Sequence, residues 1–332
     1  MNFKEGDIRP QDLEKKCDEL REEDLKVFFS DTSKFVTVNC PACHSASYKR
    51  QFEKGIFSFC ECERCETLFI NPRPTHNMLA DFYTNSKSIQ FWNDKIFPAS
   101  EDTRRQSIFA PRAQRVGDLC RKYLTEAKML LDVGAGFGTF CEEATKLNIF
   151  QKVIAVEPAQ GLAQTCRNKG IEVIEKTIEK ADLNQAISVI TNFELIEHLF
   201  DPIDFVKACH SALINGGLFI VTTPNIKGFD LMTLGPISDN IIGPNHMNYF
   251  YPKSIKILLE RCGFEVIEIL TPGKLDAEIV HNKILNGYFD VSGQPFLRHI
   301  LINEWEKLGK SFQYFLASNL LSSHLWVVAR KI

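Results

Sequence analysis

An apolar stretch, Met129-Leu-Leu-Asp-Val133, runs without a break into Gly134-Ala-Gly-Phe-Gly138 and then into a helical pattern from Thr139. A strand that opens through glycines into a helix constrains the chain more than anything else in it. Glycines let a ligand approach the backbone where a side chain would block it, and the helix start offers free N–H groups. The plainer reading is a tight strand-to-helix turn, which any α/β protein can contain. The surroundings favour a ligand. After Lys128 short β-branched runs alternate with helical segments: KMLLDVG, KVIAVEP, AISVITNF and GLFIVTTP. That is βαβ alternation, which predicts a mainly parallel sheet covered on both faces. A last pair of strand patterns, GFEVIEIL and HLWVVARK, is separated by about fifty residues of helical character, too long for a plain loop. It reads as a helical insertion at about 274–320 and as a lid.

The second strand of this series ends in Glu157-Pro158. A carboxylate there can accept hydrogen bonds from the two hydroxyls of a ribose, so loop and acid together describe an adenosine site. A dinucleotide loop needs G-x-G-x-x-G, whereas this one reads D-x-G-x-G-x-G from Asp132.

At this point the chain resembles the class I S-adenosylmethionine-dependent methyltransferases, whose first motif is LLDVGAGFGTF much as it stands at Leu130–Phe140. TNFELIEHLFDP (191–202) and GGLFIVTTPN (216–225) match the family's fourth-strand and fifth-strand motifs. The resemblance implies a Rossmann-like α/β sheet, mostly parallel with its last strand antiparallel, and S-adenosylmethionine as cofactor. It also implies Asp132, Gly134, Gly136, Glu157, Asn192 and Phe193 as cofactor-binding residues, with Thr177 or Ile178 beside the adenine. Methyl transfer needs no nucleophilic Ser or Cys, since the sulfonium already activates the methyl group and the enzyme mainly holds an acceptor in line.

Two C-x-x-C knuckles, Cys40-Pro-Ala-Cys43 and Cys62-Glu-Arg-Cys65, have the spacing of a tetrahedral zinc ribbon. Four thiolates close the coordination shell, so the expected metal is structural Zn2+. Cys60 is a spare thiol, and His44 beside the first knuckle is expected to be a surface residue. The order of knuckles, then FINPRP and DFY, before a methyltransferase core resembles bacterial methyltransferases with an N-terminal zinc-binding module, including sugar C-methyltransferases. In those enzymes the module contributes to the substrate cleft. Tyr83 is the matching tyrosine, and a packed core tyrosine is the alternative.

The segment Gly243-Pro-Asn-His-Met-Asn-Tyr-Phe-Tyr251 follows the fifth strand, on the side where a parallel sheet binds ligands. His246 is the candidate general base, or else ties the loop to the following helix. Asn245 and Tyr249 are candidate substrate contacts. The sugar enzymes carry an acid where this chain has Asn245. Glu194, Glu197 and His198 form an E-x-x-E-H pattern that resembles quinone-pathway O-methyltransferases, where it can bind a divalent cation; a helix-start network is the alternative. Asp201 before Pro202 reads as an N-cap.

The remaining chain divides into an N-terminal helical segment (1–34), a zinc-binding module (35–74), a helical linker (75–127) and the methyltransferase domain (128–332). The helix at 11–29 is expected to be exposed, capping or oligomer-forming. With 39 Lys+Arg against 42 Asp+Glu, no broad basic surface is expected for nucleic acid or anionic lipid. The start is charged where a leader would be apolar, and eleven cysteines suit a reducing compartment, so a cytoplasmic enzyme acting on a small molecule is expected. Its acceptor is a sugar, nucleotide-linked and belonging to polysaccharide or natural-product assembly, by the module's resemblance. A quinone or phenol O-methyltransferase is the alternative, and a nicotinamide-dependent oxidoreductase or a zinc-ribbon interaction protein are the alternatives of other classes.

Overall fold

The computed structural model describes residues 5–8, 10–124, 127–183 and 186–332. Residues 1–4 and 9 of the expected N-terminal segment, and 125–126 of the expected linker, lie outside them. The strands are β1 (Tyr48–Lys54), β2 (Phe57–Cys62), β3 (Leu68–Ile70), β4 (Met129–Val133), β5 (Lys152–Val156), β6 (Glu172–Ile174), β7 (Ile187–Phe193), β8 (Leu213–Pro224), β9 (Asn248–Tyr249), β10 (Phe264–Leu270) and β11 (His324–Lys331).

Seven of them form one sheet in the order β10-β11-β8-β7-β4-β5-β6. The pairs among β4 to β8 are parallel, and β11 runs antiparallel between β8 and β10. This is the expected Rossmann-like sheet. Its central strands are buried along nearly their whole length because helices cover both faces, which is why they read as continuous apolar runs rather than alternations. The order reverses beside β4, and all the parallel strands point their carboxyl ends to one edge, where loops leave room for a ligand.

The other sheet, β1-β2-β3-β9, is antiparallel. Residues 35–74 do not complete it: β9 comes from the far side of β8, with Leu68 opposite Tyr249 and Phe69 opposite Asn248. Cys40, Cys60, Cys62, Cys65 and Phe69 share one apolar cluster with Leu131, Val156 and Val221 of the main sheet. The cysteine module is therefore packed into the larger core.

The helix Gln11–Phe28 has an inward face. Cys17 and Asp24 are buried, and Asp24 accepts from Ser86 Oγ (2.7 Å), Ser88 N (2.8 Å) and Lys87 N (3.1 Å), capping the helix Lys87–Phe91. The long insertion is helical over Asp276–Leu285, Pro295–Arg298 and Trp305–Ser318. It leaves from the carboxyl-edge end of β10 and returns into β11. Among the described residues no helix is long and apolar enough to cross a membrane.

Candidate active site

Gly134 and Gly136 both have left-handed backbone (φ 78° and 56°), a conformation that costs most side chains about 1 kcal/mol or more. Their reasons for being glycine differ. A β-carbon on Gly134 would stand 2.7 Å from Leu195 Cδ2, so protein already fills that space. One on Gly136 would meet nothing within 4 Å, so this stretch of backbone borders open room. Beside it, Glu157 is 6% exposed. Its Oε2 accepts from Gly136 N at 2.9 Å and its Oε1 from Ala159 N at 2.9 Å. Each oxygen keeps acceptor capacity for a diol, and burial raises the carboxyl above its ordinary value. An open cradle beside an anchored carboxylate fits an adenosine-type group.

Asp132 is buried and turns its Oδ1 to the Thr191 hydroxyl at 2.7 Å, tying β4 to β7. Burial pushes its carboxyl up to about 6. Asn192 donates to Val133 O at 3.1 Å and keeps a buried Oδ1 with no partner. Phe193 packs against Phe140 (4.7 Å between centroids) and Trp326 (5.7 Å), with Arg112 over its face at 4.8 Å. Thr177 lies in an exposed turn after β6, whereas Ile178 is in the core.

The second half of the site sits where β7, β8 and β11 meet. Glu194, in left-handed backbone (φ 51°), accepts from the Thr222 hydroxyl at 2.6 Å and lies 3.3 Å from Arg112 and 3.4 Å from His324 Nδ1. Burial alone would raise its carboxyl; His324 and Arg112 more than offset that and hold it below the ordinary value. Glu197 is 1% exposed and accepts from the Thr223 hydroxyl at 2.9 Å. Its other oxygen, Oε1, has no hydrogen-bond partner and stands 3.8 Å from His198 Nε2. Burial, reinforced by the Glu194 charge, drives its carboxyl well up. The E-x-x-E-H pattern is thus split: Glu194 belongs with Arg112, Thr222 and His324, while the ligand atoms of Glu197, His198 and His246 lie within 4.8 Å of one another.

Both imidazoles are oriented by carbonyls. His198 Nδ1 donates to Asn245 O at 2.6 Å and His246 Nδ1 to Asn240 O at 2.9 Å, and the rings meet edge to face at 4.9 Å. A carbonyl only accepts, so in each ring, when neutral, Nε2 carries the lone pair. Tyr83 is 40% exposed, yet burial and the Glu197 charge raise its hydroxyl well above the ordinary phenol value. Asn245 has a buried Oδ1 without a partner. Tyr249 corrects the expectation of a substrate contact: it is fully buried, and its hydroxyl accepts from Ile242 N (2.9 Å) and donates to Asn240 O (3.3 Å), bracing the loop that presents His246. Arg112, Thr222, Thr223 and His324 were not singled out from sequence. The two threonines lie in the TTPN segment, but nothing in the spacing of Arg112 or His324 marks them.

Four sulfurs converge in the ribbon. Cys40 and Cys65 Sγ are 3.4 Å apart, Cys43 and Cys62 Sγ 3.5 Å, and all four lie within 4.8 Å. Zinc bonds of about 2.3 Å in a tetrahedron separate sulfurs by about 3.8 Å, so the set fits that ion. Cys60 is outside it, with its thiol on Asn71 O at 3.4 Å, and so is His44, which faces Asn39 at 3.3 Å.

A family model described as a methyltransferase domain matches residues 103–269, half of the 332-residue chain. The chain belongs to the methyltransferase-domain family. This membership sets aside the nicotinamide-dependent alternative. The methyltransferase domain is similar to a "Probable S-adenosylmethionine-dependent methyltransferase" of Mycolicibacterium smegmatis, 38% identical over 85 residues, which are 26% of this chain and 31% of that protein. It is also similar to a ubiquinone biosynthesis O-methyltransferase of Bradyrhizobium, 33% identical over 132 residues, 35% of this chain and 51% of that protein. The chain spans about half or less of the length of these curated relatives. Among solved structures it is similar to an S-adenosylmethionine-dependent methyltransferase from Archaeoglobus fulgidus, at a TM-score of 0.48 and 19% identity over 72% of this chain and all of that one. The matched span holds Glu157, Glu197 and His246 but neither the cysteine ribbon nor the insertion.

Proposed function

We propose that this chain is an S-adenosylmethionine-dependent methyltransferase acting on a small hydroxyl-bearing molecule, a sugar and by preference a nucleotide-linked one, with structural zinc on Cys40, Cys43, Cys62 and Cys65. The observation that carries the reading is the pairing of Glu157 with the open backbone at Gly136. Glu157 would hold the ribose hydroxyls and Gly136 would border the amino-acid tail. When bound, the cofactor supplies a methyl group activated by the positive charge on sulfur. His246 acts as the base: its Nε2 lone pair takes the proton from the acceptor atom, and Nδ1 holds the ring to Asn240. Tyr83 and Asn245, polar tips in the same cleft, orient the acceptor through its hydroxyls. None of the eleven cysteines forms a disulfide, which supports a reducing, cytoplasmic location.

Titration calorimetry with S-adenosylmethionine tests this. Saturable binding that Glu157→Ala weakens at least about tenfold, the worth of one charged hydrogen bond, is expected. Absence of binding by the unaltered protein overturns it.

A second reading, O-methylation of a quinone or phenol, is favoured by one observation: the orphaned, buried Glu197 Oε1 facing His198 and His246. A divalent cation on those three would lower the pKa of an acceptor hydroxyl and would take His246 out of the role of base. Turnover that is abolished by chelation, and restored by Mg2+ or Zn2+ with the cysteine site still loaded, distinguishes the two.

A further inference from the structure

The cluster of Glu197, His198 and His246 is carried by two segments far apart in sequence, and one buried side chain binds them together. Asn248 is fully buried. Its amide Nδ2 lies 2.7 Å from Leu199 O and 3.3 Å from both Ile196 O and Glu197 O, so its two protons serve the turn that bears Glu197 and His198. Its Oδ1 accepts from Arg73 at 3.1 Å. Arg73 is 1% exposed and also donates to Ile70 O (3.1 Å) and Phe200 O (2.9 Å). Around this pair the backbone is interleaved: Ile70 N donates to Met247 O at 2.9 Å, Met247 N to Glu197 O at 2.8 Å, and the His198 ring to Asn245 O.

A buried guanidinium bonded to carbonyls and an amide oxygen is a costly way to fill a core, since apolar residues of similar size do so without desolvating a charge. What such a network supplies is a single geometry. We propose that Asn248, backed by Arg73, is a positioning residue of the acceptor site: it fixes the turn of Glu197 and His198 against the loop of His246 and so sets which imidazole nitrogen faces the acceptor. It touches neither acceptor nor cofactor and acts through the two histidines. The inference rests on the methyl-transfer reading for its catalytic meaning and on the hydrogen bonds alone for its structural content.

Asn248→Asp tests it, because the carboxylate keeps the shape and pairs with Arg73 while all donation to the 196–199 turn is lost. The variant is expected to melt cooperatively and to bind S-adenosylmethionine within about twofold of the parent, since Asn248 shares no hydrogen bond with Glu157 or the Gly136 amide. The imidazole Nδ1–H signals of His198 and His246, read by nitrogen-15 NMR, should exchange with water roughly tenfold faster, the equivalent of one lost hydrogen bond, with His210 and His281 unchanged. Unchanged His198 and His246 signals in the folded variant overturn the proposal. Should that variant not fold, Arg73→Lys, which keeps the buried cation but not its three-way reach, is expected to move the same two signals. Should neither fold, the parent protein decides: the two ring protons should exchange as slowly as the Met247 and Ile70 amides, and free exchange overturns the proposal. Failure of the parent to bind S-adenosylmethionine counts against the methyl-transfer reading and leaves the histidine result standing.

Discussion

Phe97 lies flat on Phe137, their ring centroids 3.8 Å apart and their planes 4° from parallel. Phe137 belongs to the glycine loop, so the helix Phe97–Arg104 rests directly on the proposed cofactor site. The same helix and the residue that follows it reach the loop by charge: Glu101 accepts from the Thr139 hydroxyl at 3.0 Å and from Lys169 at 2.7 Å, and Arg105 bridges Glu142 (2.8 Å) and Glu143 (2.7 Å).

Phe97→Ala is therefore expected to lower stability by about 3 kcal/mol, as for other buried phenylalanines, and to speed dissociation of S-adenosylmethionine by exposing the loop. Urea melts and stopped-flow fluorescence check the two effects. Cofactor kinetics that stay put in a destabilised protein would make the helix a mere packing element.

His246→Ala should reduce methyl transfer by about 10²–10⁴-fold, the usual worth of a positioned base, and leave S-adenosylmethionine affinity unaltered. His198→Ala should do less, because that ring packs against His246 without being the base. Steady-state rates with a nucleotide-sugar acceptor compare the variants, and equal losses would show the rings working as one unit.

Removing the proposed ribbon zinc should loosen more than the ribbon. Elemental analysis is expected to find one zinc per chain, and Cys65→Ser or a strong chelator is expected to raise amide exchange in β3 and in residues 245–249 together, because those segments pair directly. Exchange rising in the ribbon alone would separate the two.

Asp132 gives a pH dependence whose sign is fixed by burial. Its carboxyl is raised from the ordinary 3.8 to about 6, so the protonated form is the one the fold favours. Its contribution is fully present below about pH 3.8 and is lost as pH rises through 6. Asp132→Asn, which stays neutral, should gain on the parent protein across that window by up to about 3 kcal/mol and hold the gain above it. Denaturant melts at pH 4, 5, 6 and 7.5 measure this; a constant difference would place the ionisation elsewhere.

What could be read from the residues alone was what is local. The strand–glycine–helix series shows itself because each unit spans few residues, and the sheet follows with its last strand reversed. The cysteine knuckles were likewise legible, down to Cys60 and His44 standing apart. What stayed hidden depends on distant pairing. Nothing in the two residues of β9 announces a strand, because Leu68 and Phe69 supply the partners. Tyr249 looked like a cleft residue for the same reason: polar and aromatic neighbours in sequence do not say which ring is sealed beneath the loop. Glu194 and Glu197 stand three apart and invite a shared role, but the left-handed turn at Glu194 sends one carboxylate to Arg112 and His324 and the other to the imidazoles.

The seam between β3 and β9 also orders events during synthesis. The ribosome must add 175 residues after Arg73 before Asn248 exists to receive it, so the thiols would collect the proposed zinc while the sheet above them still lacks an edge. Until then Phe69 has only the ribbon's own Tyr48 beside it, and the nascent ribbon would depend on the proposed zinc, or on a chaperone, to bridge the interval.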